Sequence, residues 1–390
     1  MSPIREARNE DREEIYKLFW KSFNVLGEVE EVPYWNTPDK KNWSYVAVED
    51  EKPVATASFS HFDNSIRGVE LPIAGVWGVA TVPQYRYQGL ARKLMNAAFQ
   101  RMKNEEIVFS ILDPFYIPFY EKFGYAQAEV FRRHLMTRES LRLAHANENI
   151  TFHQIKENED ITDLMTVQQS MGRYGSRIFH PKRWLQTYTK KNHLYAIKDM
   201  NETVAMIRFS FSKLQNGKRK LTADTIGYTH EKYILSLMNL IYKYGTNANQ
   251  IEIISDPSFP IRNFVVDDDD LGSTIEGRMM IRLIDFEKYC GRIEVPKDAT
   301  ESVVIKLIDG NCPWNTGVHK ITPSRGKLEV EHVDETPDIV LSDFELSKVV
   351  SGLNSVSQLH SLQEISCSEE VAQNLESIFP LEPLFSYPRF

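Results

Sequence analysis

The feature of the sequence that most constrains its fold is a set of short matches that recur at a nearly constant separation. Three matches occur in the same order: Val54–Ser60 with Val204–Ser210 at an offset of 150 residues, and Leu94–Asn96 with Leu237–Asn239 and Asp113–Pro114 with Asp256–Pro257 at an offset of 143. Such spacing indicates a duplicated unit of about 145 residues. The seven residues lost between the two offsets fall where the first copy carries a glycine turn, so the second copy is predicted to keep the scaffold without that turn.

The first copy has the pattern of an α/β unit. Its elements are a strand and an amphipathic helix over residues 3–23, a hairpin of Tyr45–Val48 and Val54–Phe59, a strand at Gly75–Val82, a helix at Leu90–Met102 and a buried strand at Ile107–Leu112. Apolar residues at helical spacing mark the first helix. A strand, a helix and a buried strand in that order predict a right-handed parallel crossover.

After about residue 286 the sequence changes to short strands separated by glycine turns. Strands are predicted at Val303–Ile308, Leu328–Glu331 and Ile339–Leu341. Ser342 followed three residues later by Glu345 is the capping-box signature of a helix start. The sequence therefore predicts tandem α/β domains at 1–145 and 146–285, followed by an α+β domain at 286–390.

Composition excludes several classes of function. The chain has 46 Lys and Arg against 54 Asp and Glu, a net charge of -8, which argues against nucleic acid and anionic lipid as partners. No apolar stretch reaches the roughly 18 residues that cross a membrane, and no apolar leader is expected at the start. Cys290, Cys312 and Cys367 are widely spaced and predict neither disulfides nor a zinc motif. The cytoplasm is the expected compartment.

No metal site is expected from the sequence. The acidic run Asp267–Asp270 is typical of a solvated loop.

The segment Val79–Arg92 carries the clearest chemistry. It is predicted to run from a strand through a short turn into a helix whose first N–H groups lack partners, which makes an anion site suited to a pyrophosphate. Gly89 lets the backbone approach a ligand closely, while Arg86 and Arg92 add positive charge. Neither the dinucleotide fingerprint nor the nucleoside-triphosphate loop is present. Taken alone, the pattern would also fit a plain turn with surface arginines.

Arg86-Tyr87-Gln88-Gly89-Leu90-Ala91 fits the [QR]xxGx[GA] coenzyme A loop of GNAT acetyltransferases. Two GNAT-like copies, the second without this loop, followed by a β-rich domain, resemble the Eis family of acetyltransferases along the whole chain. The resemblance implies tandem GNAT domains with mixed sheets and a third domain like a sterol carrier protein. It also implies acetyl-CoA as co-substrate, a primary amine as acceptor and a hexameric homo-oligomer.

The resemblance assigns cofactor contacts to the strand and the loop. Backbone groups of the strand would bind the pantetheine arm and polarise the thioester carbonyl, and the loop would hold the pyrophosphate. The residues so assigned are Val79, Ala80, Thr81, Arg86, Tyr87, Gln88, Gly89, Leu90, Ala91 and Arg92.

The resemblance assigns the general acid to Tyr120, in the segment Phe119–Tyr125, where it would protonate the departing thiolate. From the residues alone, Tyr116 and Tyr120 are equal candidates, and Tyr125 is expected in the core. A phenol with a pKa near 10 can donate to a thiolate with a pKa of about 8.5 or above, so positioning is expected to matter as much as acidity.

The base, by the same resemblance, is the carboxylate of Phe390. The apolar tail with Pro380, Pro383 and Pro388 is expected to dock instead of fraying. The basic Arg389 departs from the acidic acceptor pocket of aminoglycoside-acting relatives, which leaves the amine open.

The expected reaction is direct acetyl transfer in a ternary complex, with aminoglycosides among the acceptors. Two alternatives remain at this stage, a non-catalytic acyl-CoA sensor and a lipid carrier. A fold-level likeness to sterol carriers is not in itself an argument for lipid binding.

Overall fold

A computed structural model describes residues 2–23, 42–142, 149–179, 182–191, 193–214, 217–277 and 279–387. These residues form two compact units. Unit 1 comprises residues 1–63, 69–128 and 279–382, and unit 2 comprises residues 64–68, 129–278 and 383–390. Among the described residues no helix has the length and apolarity that a membrane span requires.

The strands, in chain order, are β1 Ile4–Glu6, β2 Asn42–Glu49, β3 Lys52–Ser65, β4 Ile73–Thr81, β5 Phe109–Leu112, β6 Ala126–Gln127, β7 Phe131–Met136, β8 Ile150–Gln154, β9 Arg177–Phe179, β10 His193–Asp199, β11 Glu202–Lys213, β12 Arg219–Tyr228, β13 Gln250–Ser255, β14 Gly272–Glu276, β15 Met280–Leu283, β16 Val303–Ile308, β17 Gly317–Ser324, β18 Lys327–His332, β19 Ile339–Ser342 and β20 Phe385–Tyr387. The helices are α1 Arg12–Phe23, α2 Leu90–Asn104, α3 Ile117–Glu121, α4 Thr162–Ser170, α5 Lys182–Lys191, α6 Ile234–Tyr244, α7 Phe286–Cys290, α8 Asp343–Ser351, α9 Val356–Ser361 and α10 Glu369–Ile378.

The main sheet of unit 1 follows the order β1-β2-β3-β4-β5-β15-β6. β2 and β3 form the predicted antiparallel hairpin, and β4 pairs with β5 in parallel through the connection that contains α2. The apolar face of α2, including Leu94, Ala98 and Met102, is buried in the core of this sheet. The predicted elements of the first copy are therefore confirmed.

The C-terminal part of unit 1 has a four-stranded sheet of order β18-β17-β16-β19. Its predicted strands are confirmed, as is the capping box: the Ser342 hydroxyl accepts the Glu345 N–H at 3.2 Å, and the Glu345 carboxylate accepts the Ser342 N–H at 2.7 Å. This cap satisfies otherwise unpaired N–H groups at the start of α8. α8 packs on β15 and β6 of the main sheet.

A buried arginine holds this contact together. Arg282 on β15 is fully buried and donates to the Phe123 carbonyl at 2.7 Å and to the carboxylates of Asp309 and Asp343 at 2.8 and 3.1 Å. Burial opposes the charge of the guanidinium, but the neighbouring Cys312, Asp309 and Asp343 raise its pKa above the ordinary value, so the side chain stays charged. Arg282 thus links the main sheet to the C-terminal sheet and to α8.

Unit 2 contains a seven-stranded sheet of order β14-β7-β13-β12-β11-β10-β8. β12 and β13 are parallel, as β4 and β5 are in unit 1. β20 pairs in parallel with β9, and the Glu129 carboxylate accepts the N–H of Ser386 at 3.0 Å.

Two strands, β7 and β15, each pair in the sheet formed mainly by the other copy. β7 follows the strands of the first copy in sequence, but it pairs with β13 and β14 in the sheet of unit 2. β15 follows those of the second copy, yet it lies between β5 and β6 in unit 1. The boundaries 1–145, 146–285 and 286–390 remain a prediction, and the compact units do not coincide with them.

The repeat maps onto equivalent elements. The matched segments lie on β3 and β11, on α2 and α6, and directly after β5 and β13. The connection between strand and helix shortens from residues 82–89 to residues 229–233. Only three of the seven lost residues therefore come from the predicted loop.

Candidate active site

The site begins at a β-bulge in the pairing of β3 with β4. The pairing of β3 with β4 changes register between Thr56 and Ser58, and Gly78 on β4 has a φ of +64°. A Cβ at Gly78 would lie 3.2 Å from the Phe19 ring, so both the backbone and the space at this bulge favour glycine. The bulge redirects the end of β4.

β4 and β5 separate before β4 ends. Their parallel register covers Ile73, Ala74 and Gly75 only, whereas β4 continues to Thr81. Among the described residues, the polar backbone groups of β4 beyond Gly75 have no partner on β5. Such groups can bind an extended ligand in the manner of an added strand.

The loop that follows β4 leads into an uncapped helix. A 3-10 turn spans Pro83–Tyr85, and Gly89 precedes α2 in the left-handed region with a φ of +74°. Within the described part of the chain, no side chain caps the first N–H groups of α2. These N–H groups and the helix dipole together attract an anion.

Charged side chains surround this helix start. Arg86 and Arg92 are both exposed, and Arg86 donates through Nε to the Thr81 carbonyl at 3.2 Å, which ties the loop back to β4. Tyr87 is fully exposed with a φ of +62°. The loop therefore presents cationic and aromatic groups to solvent beside unpaired N–H groups.

The predicted cofactor-binding residues form one continuous strand, loop and helix start. Val79 and Thr81 are partly buried on β4, and Ala80 is buried. Gln88 is exposed and donates to the Gln84 carbonyl at 3.3 Å. The Leu90 side chain is buried in the core, so Leu90 can offer a ligand only its backbone.

Tyr120 lies on α3, just beyond the end of β5, and is 5% exposed. Its ring makes edge contacts with Phe119 and Tyr125, with ring centroids 4.9 and 6.1 Å apart. Its hydroxyl has no hydrogen-bond partner within the described part of the chain. A rigidly packed ring with an uncommitted hydroxyl is suited to donate a proton to a bound ligand.

Burial, with a smaller contribution from Asp113, raises the pKa of Tyr120 above its ordinary value. The phenol is therefore protonated at neutral pH. The same apolar surroundings would raise the pKa of a thiolate formed beside it, which keeps donor and acceptor matched.

The other two tyrosines of this segment differ in environment. Tyr116 precedes α3 and is 59% exposed. Tyr125 is fully buried, and its hydroxyl and that of Ser110 share a hydrogen bond of 2.6 Å. The prediction of Tyr125 as a core residue is confirmed.

In the second copy, an ion pair lies at the equivalent bulge. Arg208 and Asp224 are cross-strand partners at the register of Ser58 and Trp77, and the Arg208 guanidinium donates to both Asp224 oxygens. The Tyr188 ring stacks on Arg208 at 4.0 Å. This copy has charged, mutually paired side chains where the first copy has an open strand end.

Phe390 and Arg389 lie outside the described residues, so the role predicted for the Phe390 carboxylate stays a prediction. The acidic run Asp267–Asp270 includes a 3-10 turn at Asp268–Asp270. Its Asp269 and Asp270 are exposed.

Comparisons with known families define the class of the chain. Residues 3–128 match the model of the acetyltransferase (GNAT) domain, and residues 286–386 match that of the sterol carrier protein domain. The chain is an acyltransferase enzyme with a GNAT domain, and that domain implies acetyl-CoA as co-substrate.

Solved structures share the whole fold. A GCN5-related N-acetyltransferase from Anabaena variabilis is 16% identical with a TM-score of 0.86, and a probable N-acyltransferase from Enterococcus faecalis is 17% identical with a TM-score of 0.87. Eis1 from Mycobacterium abscessus is 16% identical with a TM-score of 0.80, and all three alignments cover 100% of both chains. The predicted Eis-like combination of domains is confirmed. Comparison with curated protein sequences found no match.

Proposed function

We propose that this enzyme transfers the acetyl group of acetyl-CoA to primary amines, including aminoglycosides with several amino groups. The main observation in support of this proposal is the separation of β4 from β5 beside the uncapped start of α2. This arrangement suits a ligand with an extended amide arm and a pyrophosphate, and coenzyme A has both. Eis1 from Mycobacterium abscessus has the same fold.

In the proposed reaction, a neutral amine attacks the thioester carbonyl of bound acetyl-CoA. Backbone N–H groups of β4 from Val79 to Thr81 stabilise the oxyanion. As the C–S bond breaks, Tyr120 donates its proton to the thiolate, and the new C–N bond leaves the amide product after the nitrogen loses a proton. Direct transfer in a ternary complex needs no covalent enzyme intermediate.

The base is assigned to the Phe390 carboxylate from the Eis resemblance alone. A free carboxylate with a pKa of about 3.3 to 3.7 is a weak base for an ammonium, so burial or a bridging water must assist it. Appending one glycine after Phe390 displaces the carboxylate and should lower kcat by about tenfold or more without changing acetyl-CoA binding. An unchanged kcat would remove Phe390 from this role.

Thiol release from acetyl-CoA tests the function directly. An untagged chain that ends at Phe390 is assayed with aminoglycosides, polyamines, lysine peptides and arylamines, and each amine is matched by its acetylated form as a control acceptor. Release that depends on the free amine supports the proposal. Saturable coenzyme binding without release on any of these amines would contradict it and support the acyl-CoA sensor instead.

The proposal places the enzyme in the cytoplasm as a homo-oligomer, with a hexamer as the expected assembly by resemblance. Light scattering of the purified chain measures the assembly, and a monomeric mass would contradict this part of the proposal.

A further inference from the structure

Three side chains able to bind a metal meet in the C-terminal part of unit 1. Glu287 on α7, His319 on β17 and His332 on β18 each place one ligand atom within 4.8 Å of the others. His319 and His332 are directly opposite each other in the β17–β18 register, with ring centroids 4.3 Å apart. The Glu287 carboxylate lies 2.7 Å from His332 Nε2 and 3.9 Å from His319 Nδ1.

His319 is oriented with a free lone pair. Its ring is fully buried, and Nε2 donates to the Asn315 carbonyl at 3.1 Å. In the neutral ring Nδ1 therefore carries no proton, and it is buried with no hydrogen-bond partner among the described residues. A carbonyl that holds the far nitrogen of an imidazole is the usual support of a metal-bound histidine.

The support itself is rigid. Asn315 is buried, and its side chain bonds to the Phe286 N–H, the Ile284 carbonyl and the Asp309 carboxylate at 3.0, 3.1 and 3.0 Å. The unpartnered nitrogen is thus a fixed feature of the fold and not a side chain free to turn away.

The remaining two ligands can reach an ion from solvent. The side chains of Glu287 and His332 are 51% and 61% exposed, so small rotations can adjust their distances. Gly317 lies against both imidazoles, because a Cβ there would come within 3.1 Å of His332 and 3.3 Å of His319. The glycine leaves room for the histidine pair.

We propose that Glu287, His319 and His332 form a binding site for a zinc ion. Two imidazoles and a carboxylate suit Zn²⁺, with water in the fourth tetrahedral position, whereas Mg²⁺ and Ca²⁺ prefer oxygen ligands throughout. The ion would connect α7 to the β17–β18 hairpin and stabilise the C-terminal domain. The sequence predicts no metal site because residues 287, 319 and 332 have no recognisable spacing, and only the strand register brings the histidines together.

Zinc titration of the tag-free, metal-stripped full chain tests the site, with a chromophoric chelator as competitor. His332→Ala and Glu287→Gln each remove one exposed ligand without disturbing the buried ring. His193→Ala removes an exposed histidine outside the cluster and is the matched control. Cys367→Ser removes the thiol that lies 3.9 Å from His360 Nδ1, a second place where zinc could bind.

The expected result is about one Zn²⁺ per chain, with affinity reduced roughly tenfold or more in His332→Ala and in Glu287→Gln. Zinc should raise the Tm of the wild-type, His193→Ala and Cys367→Ser chains but not of the two ligand variants. Co²⁺ should give a visible absorption band that the ligand variants lose. Equal zinc affinity in wild type and His332→Ala, or loss of binding in Cys367→Ser, would overturn the proposal.

Discussion

Replacing Tyr120 with phenylalanine removes one hydroxyl from an otherwise intact aromatic cluster. The ring contacts with Phe119 and Tyr125 remain, and the hydroxyl has no bonded partner among the described residues. The free energy of unfolding should therefore change by less than about 1 kcal/mol. Loss of a general acid should lower kcat by roughly 10²- to 10⁴-fold, equivalent to about 3 to 5 kcal/mol in the barrier.

The KM for acetyl-CoA should stay within about twofold, because the hydroxyl is proposed to act on the leaving thiolate and not in ground-state binding. Initial rates of thiol release at saturating amine measure kcat, and urea denaturation measures stability. The two readouts separate a chemical defect from a folding defect.

Two neighbouring tyrosines provide controls. Tyr125→Phe deletes the hydroxyl bonded to Ser110 and should cost about 1 kcal/mol of stability while kcat is retained. Tyr116→Phe alters an exposed residue and should change neither quantity. A kcat for Tyr120→Phe within about threefold of wild type, or a large loss in Tyr116→Phe, would refute the assignment.

Gly89→Ala should raise the KM for acetyl-CoA in initial-rate assays and leave kcat nearly unchanged. The left-handed φ of +74° at this position costs alanine about 1 to 2 kcal/mol, so the loop should shift away from the conformation proposed to bind the pyrophosphate. An unchanged KM would contradict the assignment of the loop. Arg282→Met leaves buried carboxylates without their partner and should lower the free energy of unfolding by about 3 to 5 kcal/mol in urea denaturation. The control Lys348→Met breaks a more exposed ion pair and should cost less than about 1 kcal/mol. Equal losses in the two variants would contradict the role of Arg282. Burial, aided by Arg132, lowers the pKa of His134 to about 4 from 6.5, so the unfolded state binds the proton more readily. The contribution of the neutral His134 to the free energy of unfolding is therefore complete above pH 6.5 and falls by up to about 3 kcal/mol as the pH drops to 4. Denaturation measured across this pH range should show that slope in the wild type and a flatter one in His134→Gln.

Elements with local signals were predictable from the sequence. The helical spacing of α2 and the Ser342 capping box each depend on residues a few positions apart, and both are present as predicted. The glycine loop was recognisable because its N–H groups, charge and position after a strand are all encoded in one short segment.

Features that depend on distant pairing were not predictable. The exchange of β7 and β15 between the two sheets follows from backbone hydrogen bonds, which any extended segment can offer. The Arg208–Asp224 ion pair at the second bulge needed the cross-strand register of β11 and β12. The difference in burial between Tyr120 and Tyr116, 5% against 59% exposed, was likewise not predictable from the aromatic residues of the segment.

The position of β15 also determines when the main sheet of unit 1 can form during synthesis. One of the two neighbours of β5 is β15, whose Met280 pairs with Leu112 and lies about 170 residues later in the chain. That side of β5 therefore stays unpaired until β15 has been synthesised. A nascent chain that has left the ribosome as far as the glycine loop and β5 still has an open edge at β5, and such edges favour aggregation. The second copy, which lacks the loop, must therefore be synthesised before the first can complete its sheet, and a gene truncated between the two copies would encode a chain in which β5 lacks this neighbour.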